Sequence, residues 1–208
     1  MNLLDNFINE CDIALKTLSF KKSGTGRSYP VNETSSSLSK KEKSLSAQLM
    51  RVNLAGEVAA QALYRGQAMV CKDAEIKNHL VQAGEEETDH LIWCKKRLEE
   101  LNGKPSILNP VWYAGSFAIG AIFGSFGEKT SLGFVEETEK QVVKHLEKHL
   151  DKVSKNDTET IEILKTMRAD EDEHAQEAIE NGSESLSEPT KKVMSFTAKV
   201  MTSSSAYI

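Results

Sequence analysis

The 208-residue chain is long enough for one domain with a substantial core, and 39% hydrophobic and 27% charged residues are ordinary for a soluble globular protein. A formal net charge of −5 leaves no basic excess to displace counterions from phosphate, which excludes a general nucleic-acid binder. Cys11, Cys71 and Cys94 are odd in number and share no CxxC spacing, so they read as free thiols in a reducing compartment, with Cys71 and Cys94 as core packing. The opening MNLLDNFINECDIALK carries acids and has no basic region ahead of an apolar run, so no secretion signal is expected and a cytoplasmic protein is the default.

Residues 1–20 have a roughly helical period, with Ile8, Ala14, Leu15 and Leu18 recurring, and read as an N-terminal helix. Residues 21–43 turn Lys/Ser/Gly-rich with Pro30 and read as a flexible linker or extended arm. The main domain is expected over 44–208, with Ser44 as the N-cap of its first helix. Four long helical segments follow, over about 45–72, 74–101, 129–153 and 157–179. The second ends at Asn102-Gly103 and the fourth at Asn181-Gly182. Short polar turns join the first pair and the second pair, as antiparallel helix hairpins require, and a longer crossover over 103–128 joins the two hairpins. One long connection of this kind marks a ferritin-like four-helix bundle, so the expected fold is all-α with a long apolar crossover and a short extra helix over 190–201.

Histidines and glutamates carry weight here through their placement. Glu87-Thr-Asp-His90 and Glu171-Asp-Glu-His174 are both Glu-x-x-His, each late in its hairpin, and an i, i+3 pair on a helix lies on one face. Each hairpin also has a glutamate in its first helix, Glu57 and Glu139, at nearly equal separation from the motif that follows. Two copies of this unit supply four carboxylates and two imidazoles, the ligand set of ferritin-like di-iron or di-manganese bundles. Carboxylates can bridge two hard cations while imidazole suits iron. A lone Glu-x-x-His in an acidic helix ordinarily faces solvent; the matched pair with upstream glutamates does not fit that reading. Glu57 lies among Leu54, Ala55, Val58 and Ala60, where a bare carboxylate would be costly. In the third segment Glu136, Glu137 and Glu147 compete with Glu139, which has the matching spacing and shares a face with Val135, Val142 and Val143. His145 is a candidate to hydrogen-bond a ligating carboxylate, its alternative being a partly exposed helix histidine; His79 and His149 read as surface residues.

Residues 105–127 contain no charged side chain, and the centre around Trp112, Tyr113, Phe117 and Ile119 is strongly apolar. The run is too short and too rich in glycine and serine for a transmembrane helix, leaving a helix buried on the bundle, a wall of an apolar substrate pocket, or a segment dipping into a bilayer surface. The tail from 189 onward has Lys191, Lys192 and Lys199 and no acid, with Val193, Phe196 and Val200 on one face, suited to anionic lipid or to packing as a fifth helix.

The stretch Arg51-Val-Asn-Leu-Ala-Gly-Glu57-Val-Ala-Ala-Gln-Ala-Leu-Tyr64-Arg-Gly-Gln67, with Glu86-Glu87-Thr-Asp-His90-Leu, Asn109-Pro-Val-Trp112, Glu139-Lys-Gln-Val-Val-Lys-His145-Leu and Asp170-Glu171-Asp-Glu-His174, resembles the demethoxyubiquinone hydroxylases, di-iron enzymes of ubiquinone biosynthesis. The resemblance runs from about residue 45 to the end; Asn53 and Leu54 stand where that family commonly has Asp-His. It implies two iron ions held by Glu57, Glu87, His90, Glu139, Glu171 and His174, with Tyr64 and His145 beside the ligands. It also implies hydroxylation of a polyprenyl benzoquinol ring by dioxygen, one oxygen atom going to the ring and the other to water. The implied setting is the cytoplasmic face of a bacterial inner membrane, as a peripheral protein without nucleic acid, alongside other ubiquinone-biosynthesis proteins. A ferritin-like iron-storage or peroxide-scavenging protein is the alternative that uses the same ligands.

Overall fold

The computed structural model describes residues 3–31 and 37–208, and among these it contains seven helices and no strand. They are α1 (Leu3–Leu18), α2 (Lys40–Val70), α3 (Ala74–Glu100), α4 (Asn109–Ser125), α5 (Glu128–Lys152), α6 (Thr158–Glu180) and α7 (Glu188–Ser205). Helices α2, α3, α5 and α6 form the bundle, as two hairpins α2–α3 and α5–α6. Local sequence sets their ends. Asp73 caps α3 through the N–H groups of Glu75 and Ile76, and Asp157 caps α6 through that of Thr160. Asn102, with φ 57°, and Gly182, with φ 89°, turn the chain after α3 and α6.

Helix α2 begins ahead of the expected Ser44. Its N-cap is Ser39, whose side chain accepts from Glu42 N–H while the Glu42 carboxylate accepts from Ser39 N–H. This capping box extends the helix through the lysines of 40–43, a charged turn that hydrophobic periodicity does not mark. Residues 21–31 have no regular structure, yet they lie across α3 and α6. The Lys22 ammonium donates to Gly84 O, Thr25 N–H to Asp89, Arg27 pairs with Asp170, and the Tyr29 hydroxyl donates to Glu100. The part of the expected linker at 32–36 lies outside the described residues.

The core runs between the two hairpins through Met50, Leu54, Leu91, Trp93, Leu98, Leu146, Ile163, Leu164 and Met167, all essentially buried. Cys94 sits in it against Met167, whereas Cys11 is exposed and Cys71 half-buried; all three are free thiols. At the end of the bundle away from the α2–α3 turn, the buried Arg97 joins the hairpins by donating to Asp157 and Thr160.

The crossover is a helix. Of the three expectations for it, α4 fulfils packing against the bundle, on α2. The two backbones approach at glycines: a Cβ at Gly66 would stand 2.2 Å from Phe117 O, and one at Gly120 2.3 Å from Leu63 O. The opposite side of α4 is uncovered, and Val111, Ile122 and Phe126 are exposed along it. Helix α7 is held at both ends: Gln141 donates to Lys191 O and Lys191 pairs with Glu137 at its start, while Trp112 Nε1–H donates to Ser205 Oγ and Arg51 donates to Ala206 O at its finish. Its Val193, Phe196 and Val200 are exposed. No helix among the described residues is long and apolar enough to cross a membrane.

Candidate metal centre

One polar cluster interrupts the apolar interior. Glu57 from α2, Glu87 and His90 from α3, Glu139 from α5, and Glu171 and His174 from α6 are each at most 4% exposed. The i, i+3 spacing turns each Glu-x-x-His pair to one face, and the two faces meet at the bundle centre. His90 Nδ1 lies 3.2 Å from Glu87 Oε2, 3.2 Å from Glu171 Oε1 and 3.7 Å from Glu57 Oε2. His174 Nδ1 lies 3.3 Å from Glu87 Oε1 and 3.5 Å from Glu171 Oε2. Glu87 and Glu171 therefore stand between the two imidazoles, with Glu57 on the His90 side.

The three rivals in the third segment are engaged elsewhere. Glu136 holds Lys140 and Ser183, Glu137 holds Gln141, and Glu147 holds Arg168. Glu139 is 1% exposed and accepts the Tyr64 hydroxyl hydrogen at 2.7 Å.

The far nitrogens of the imidazoles are backed in a crossed fashion. His90 Nε2 lies 2.8 Å from Asp170 Oδ2 on α6, and His174 Nε2 lies 3.0 Å from Glu86 Oε2 on α3. With Nε2–H donating to these carboxylates, each Nδ1 is turned toward the cluster as an electron-pair donor, the tautomer a metal ligand needs. Sequence reading passed over Asp170 and Glu86, although each directly precedes a ligand candidate. The signal was the repeated acid-Glu-x-x-His.

His145 is not at the ligands. Its ring packs 4.0 Å from that of His149, and its Nε2 has no hydrogen-bond partner. His149 is buried, contrary to the surface position expected for it, because its face of α5 turns toward the core beside Leu146 and Val153. His79 is half-buried and lies 3.9 Å from Glu177.

Packing four carboxylates together without a cation has electrostatic consequences. Burial, then the neighbouring Glu87 and Glu171, push Glu57 well above the usual carboxylate range. Burial and then Glu171 and Glu87 do the same to Glu139. Burial also opposes ionisation of Glu87, but His174 and His90 beside it outweigh that and hold it below the usual range. Burial disfavours charge on His174, and the adjacent Glu171 and Glu87 carboxylates overcome it, raising the group to about 12. His90 is likewise raised, by Asp170, Glu171, Glu57 and Glu87 against its burial.

Among the described residues, four buried atoms in the cluster, Glu87 Oε1, Glu139 Oε2, Glu171 Oε2 and His174 Nδ1, make no hydrogen bond of good geometry, although His174 Nδ1 stands close to the two carboxylate oxygens of Glu87 and Glu171. Orphaned buried atoms of this kind cost about 1–3 kcal/mol each. Here all four belong to groups that bind cations, and one oxygen or nitrogen from each of Glu57, Glu87, His90 and Glu171 falls within 4.8 Å of the others. The donor set fits metal ions.

All six residues lie within the span matched by a family model. That model, described as ubiquinone biosynthesis protein COQ7, matches residues 44–205. The chain is 48% identical over 209 residues to the 3-demethoxyubiquinol 3-hydroxylase of Legionella pneumophila (strain Lens), covering 100% of this chain and 98% of that one. The protein of the same description from Francisella philomiragia is 48% identical over 97% of this chain and 96% of its own, and that of Nitrosococcus oceani 46% over 100% and 98%. Among solved structures, the thioferritin of Bacteroides fragilis superposes with a TM-score of 0.51 at 22% identity, over 69% of this chain and 85% of that one. That likeness supports the ferritin-like fold.

Proposed function

This chain belongs to the ubiquinone biosynthesis protein COQ7 family, and from that premise we propose that it is a di-iron monooxygenase hydroxylating the ring of a polyprenylated demethoxyubiquinol with dioxygen. The observation that carries the metal reading is the set of orphaned ligand atoms on Glu87, Glu139, Glu171 and His174 at the bundle centre. Glu57, Glu87, His90, Glu139, Glu171 and His174 would hold the two irons, with Glu57 on the His90 side and Glu87 and Glu171 near both imidazoles. When bound, the iron pair supplies the electrons and Lewis acidity that activate dioxygen.

The chain's own groups orient the ligands and keep water out. Asp170 and Glu86 fix the imidazole tautomers, and Tyr64 holds Glu139 Oε1. Gln61, which accepts from the Thr17 hydroxyl, donates to Glu87 O at 3.4 Å. Trp93, Leu54, Val58 and Met167 close the interior around the cluster.

A crevice reaches Glu139 between α2 and α5, lined by Ala60, Leu63, Tyr64, Gln67, Phe134 and Thr138. Its volume of about 10 Å³ has room for a single water. Phe134 packs 4.2 Å from Phe123 of α4, and Phe123 packs 6.1 Å from the exposed Phe126. These packed rings join the uncovered side of α4 to the crevice at Glu139, and we propose that a quinol ring enters by displacing Leu63 and Phe134 while its tail stays along α4. The exposed apolar residues of α4 and α7 support a peripheral position on a membrane surface, which we take to be the cytoplasmic face of a bacterial inner membrane because quinol biosynthesis in the family implies it.

The test is lipid extraction from a strain lacking this protein. Accumulated demethoxyubiquinone, reversed by the wild-type chain and not by Glu171→Ala, is expected. Normal ubiquinone in the deletion strain would contradict the assignment.

A further inference from the structure

The carboxylates that back the two imidazoles differ in their own partners. Glu86, behind His174, receives His174 and the neutral Gln82 amide, and among the described residues no lysine or arginine is paired with it. Asp170, behind His90, is gripped by a cation. Arg27 Nη2 lies 3.0 Å from its Oδ1 and 2.8 Å from its Oδ2. The guanidinium also lies 5.0 Å over the Trp93 ring, whose centroid is 5.3 Å from that of His90.

Arg27 is brought there by residues 21–31, ahead of the span that the family model matches. Two residues before it, Thr25 donates its N–H to Asp89 Oδ2 at 3.3 Å and its hydroxyl to the same oxygen. Gly24 lies so close that a Cβ there would stand 1.9 Å from Asp89 Oδ1. On the far side, Tyr29 is held by Glu100 and by Lys96 Nζ, 3.8 Å over its ring. The strand of chain is fixed on both sides of Arg27.

We propose that Arg27 is a positioning residue that makes the two metal positions unequal, by occupying the carboxylate that supports His90 while the carboxylate that supports His174 carries no cation. This rests on the di-iron reading of the cluster. A carboxylate that accepts an imidazole N–H increases electron donation from the other ring nitrogen to a bound metal. A guanidinium on the same carboxylate draws its lone pairs and cancels its charge, so that donation weakens. The positive charge itself acts in the same direction. The iron held by His90 is therefore the harder of the two to oxidise, and the iron held by His174, backed by an unneutralised Glu86, the easier.

The test is an anaerobic redox titration of the iron-loaded full chain, followed by electron paramagnetic resonance of the mixed-valent state. The wild type should show two separated midpoints and a mixed-valent signal between them. R27Q should move the higher midpoint down toward the lower, reducing the maximal mixed-valent signal. E86Q should reduce the signal by the opposite route, moving the lower midpoint up. R27K, which keeps the charge, should restore most of the wild-type separation, and Y29F, which loosens one of the two anchors of the arm, should fall between the wild type and R27Q. Circular dichroism establishes that each variant folds, and if R27Q fails to load iron R27K provides the test of the Arg27 side, a midpoint that stays near wild type only if the charge on Asp170 sets it. A wild type that takes up iron while R27Q and E86Q overlay it, or shift it in the same direction, overturns this inference alone. A wild type that takes up no iron overturns the metal reading, and this inference with it.

Discussion

The Tyr64 hydroxyl on α2 donates to Glu139 Oε1 on α5 at 2.7 Å, with both residues buried and the second oxygen of that carboxylate left without a partner. A metal would satisfy the second oxygen, and among the described residues only the tyrosine satisfies the first. Tyr64→Phe should therefore cost the metal-free protein about 1–3 kcal/mol in urea unfolding, the range for a buried bond to a charged or polar group. Iron loading should persist, because the tyrosine is not a ligand, while hydroxylation slows. Unchanged unfolding would show that the bond supports nothing.

Ligand groups assembled without their cations destabilise one another. Replacing one by a neutral isostere should relieve burial and repulsion while destroying the site, the usual opposition between function and stability. Glu57→Gln is expected to raise the thermal midpoint of the metal-free protein by a few degrees and to lower its iron content. Glu87→Ala should lose most of the iron, whereas Glu99→Ala, at an exposed residue paired with Lys95, should keep it. Equal iron in the last two variants would undo the ligand assignment.

Much of this was readable in the chain. Regular spacing of Glu57, Glu87, His90, Glu139, Glu171 and His174 survives into three dimensions because helices carry an i, i+3 relation directly into a shared face. The hairpin ends at Asn102 and Asn181-Gly182 were equally legible from turn chemistry. The docking of Arg27 on Asp170 was not, since it joins residues far apart through a segment without periodicity, and a Lys/Ser-rich composition conceals specific contacts. The burial of His149 depended on which face of α5 turns inward, and the charged neighbours Lys148 and Lys152 masked it.

That buried pair gives a pH dependence. Burial first, then Lys148 and Lys152, hold His145 down to about 4; burial, His145 and Lys152 hold His149 down to about 3. In the unfolded chain each returns to about 6.5. Below that pH the unfolded state binds protons the folded state refuses, so this contribution to stability is present above about 6.5 and is lost as the pH falls toward 4 and 3. His149→Leu should accordingly lose less stability than the wild type between pH 7 and pH 5 in metal-free urea titrations. Equal losses would place the titrating groups elsewhere.

The uncovered faces of α4 and α7 should bind lipid. Phe126 and Phe196 are 67% and 68% exposed, and a bilayer interface would bury both. Phe126→Asp and Phe196→Asp should each weaken sedimentation with anionic vesicles without altering helicity. Release of the wild type by high salt alone would assign binding to Lys192 and Lys199 in place of the apolar residues.

Metal content and location leave a hydroxylase and a peroxide scavenger alike, because both use the same six ligands. They differ in where the oxygen goes. Reduced, iron-loaded protein given a short-tailed demethoxyubiquinol and labelled dioxygen is expected to place one labelled oxygen atom in the ring. Glu171→Ala should abolish that incorporation, and a bulky or charged replacement at Phe117 or Ile119 should weaken it while iron is retained. A ring that returns unlabelled while peroxide is rapidly consumed would contradict the hydroxylase and establish the scavenger.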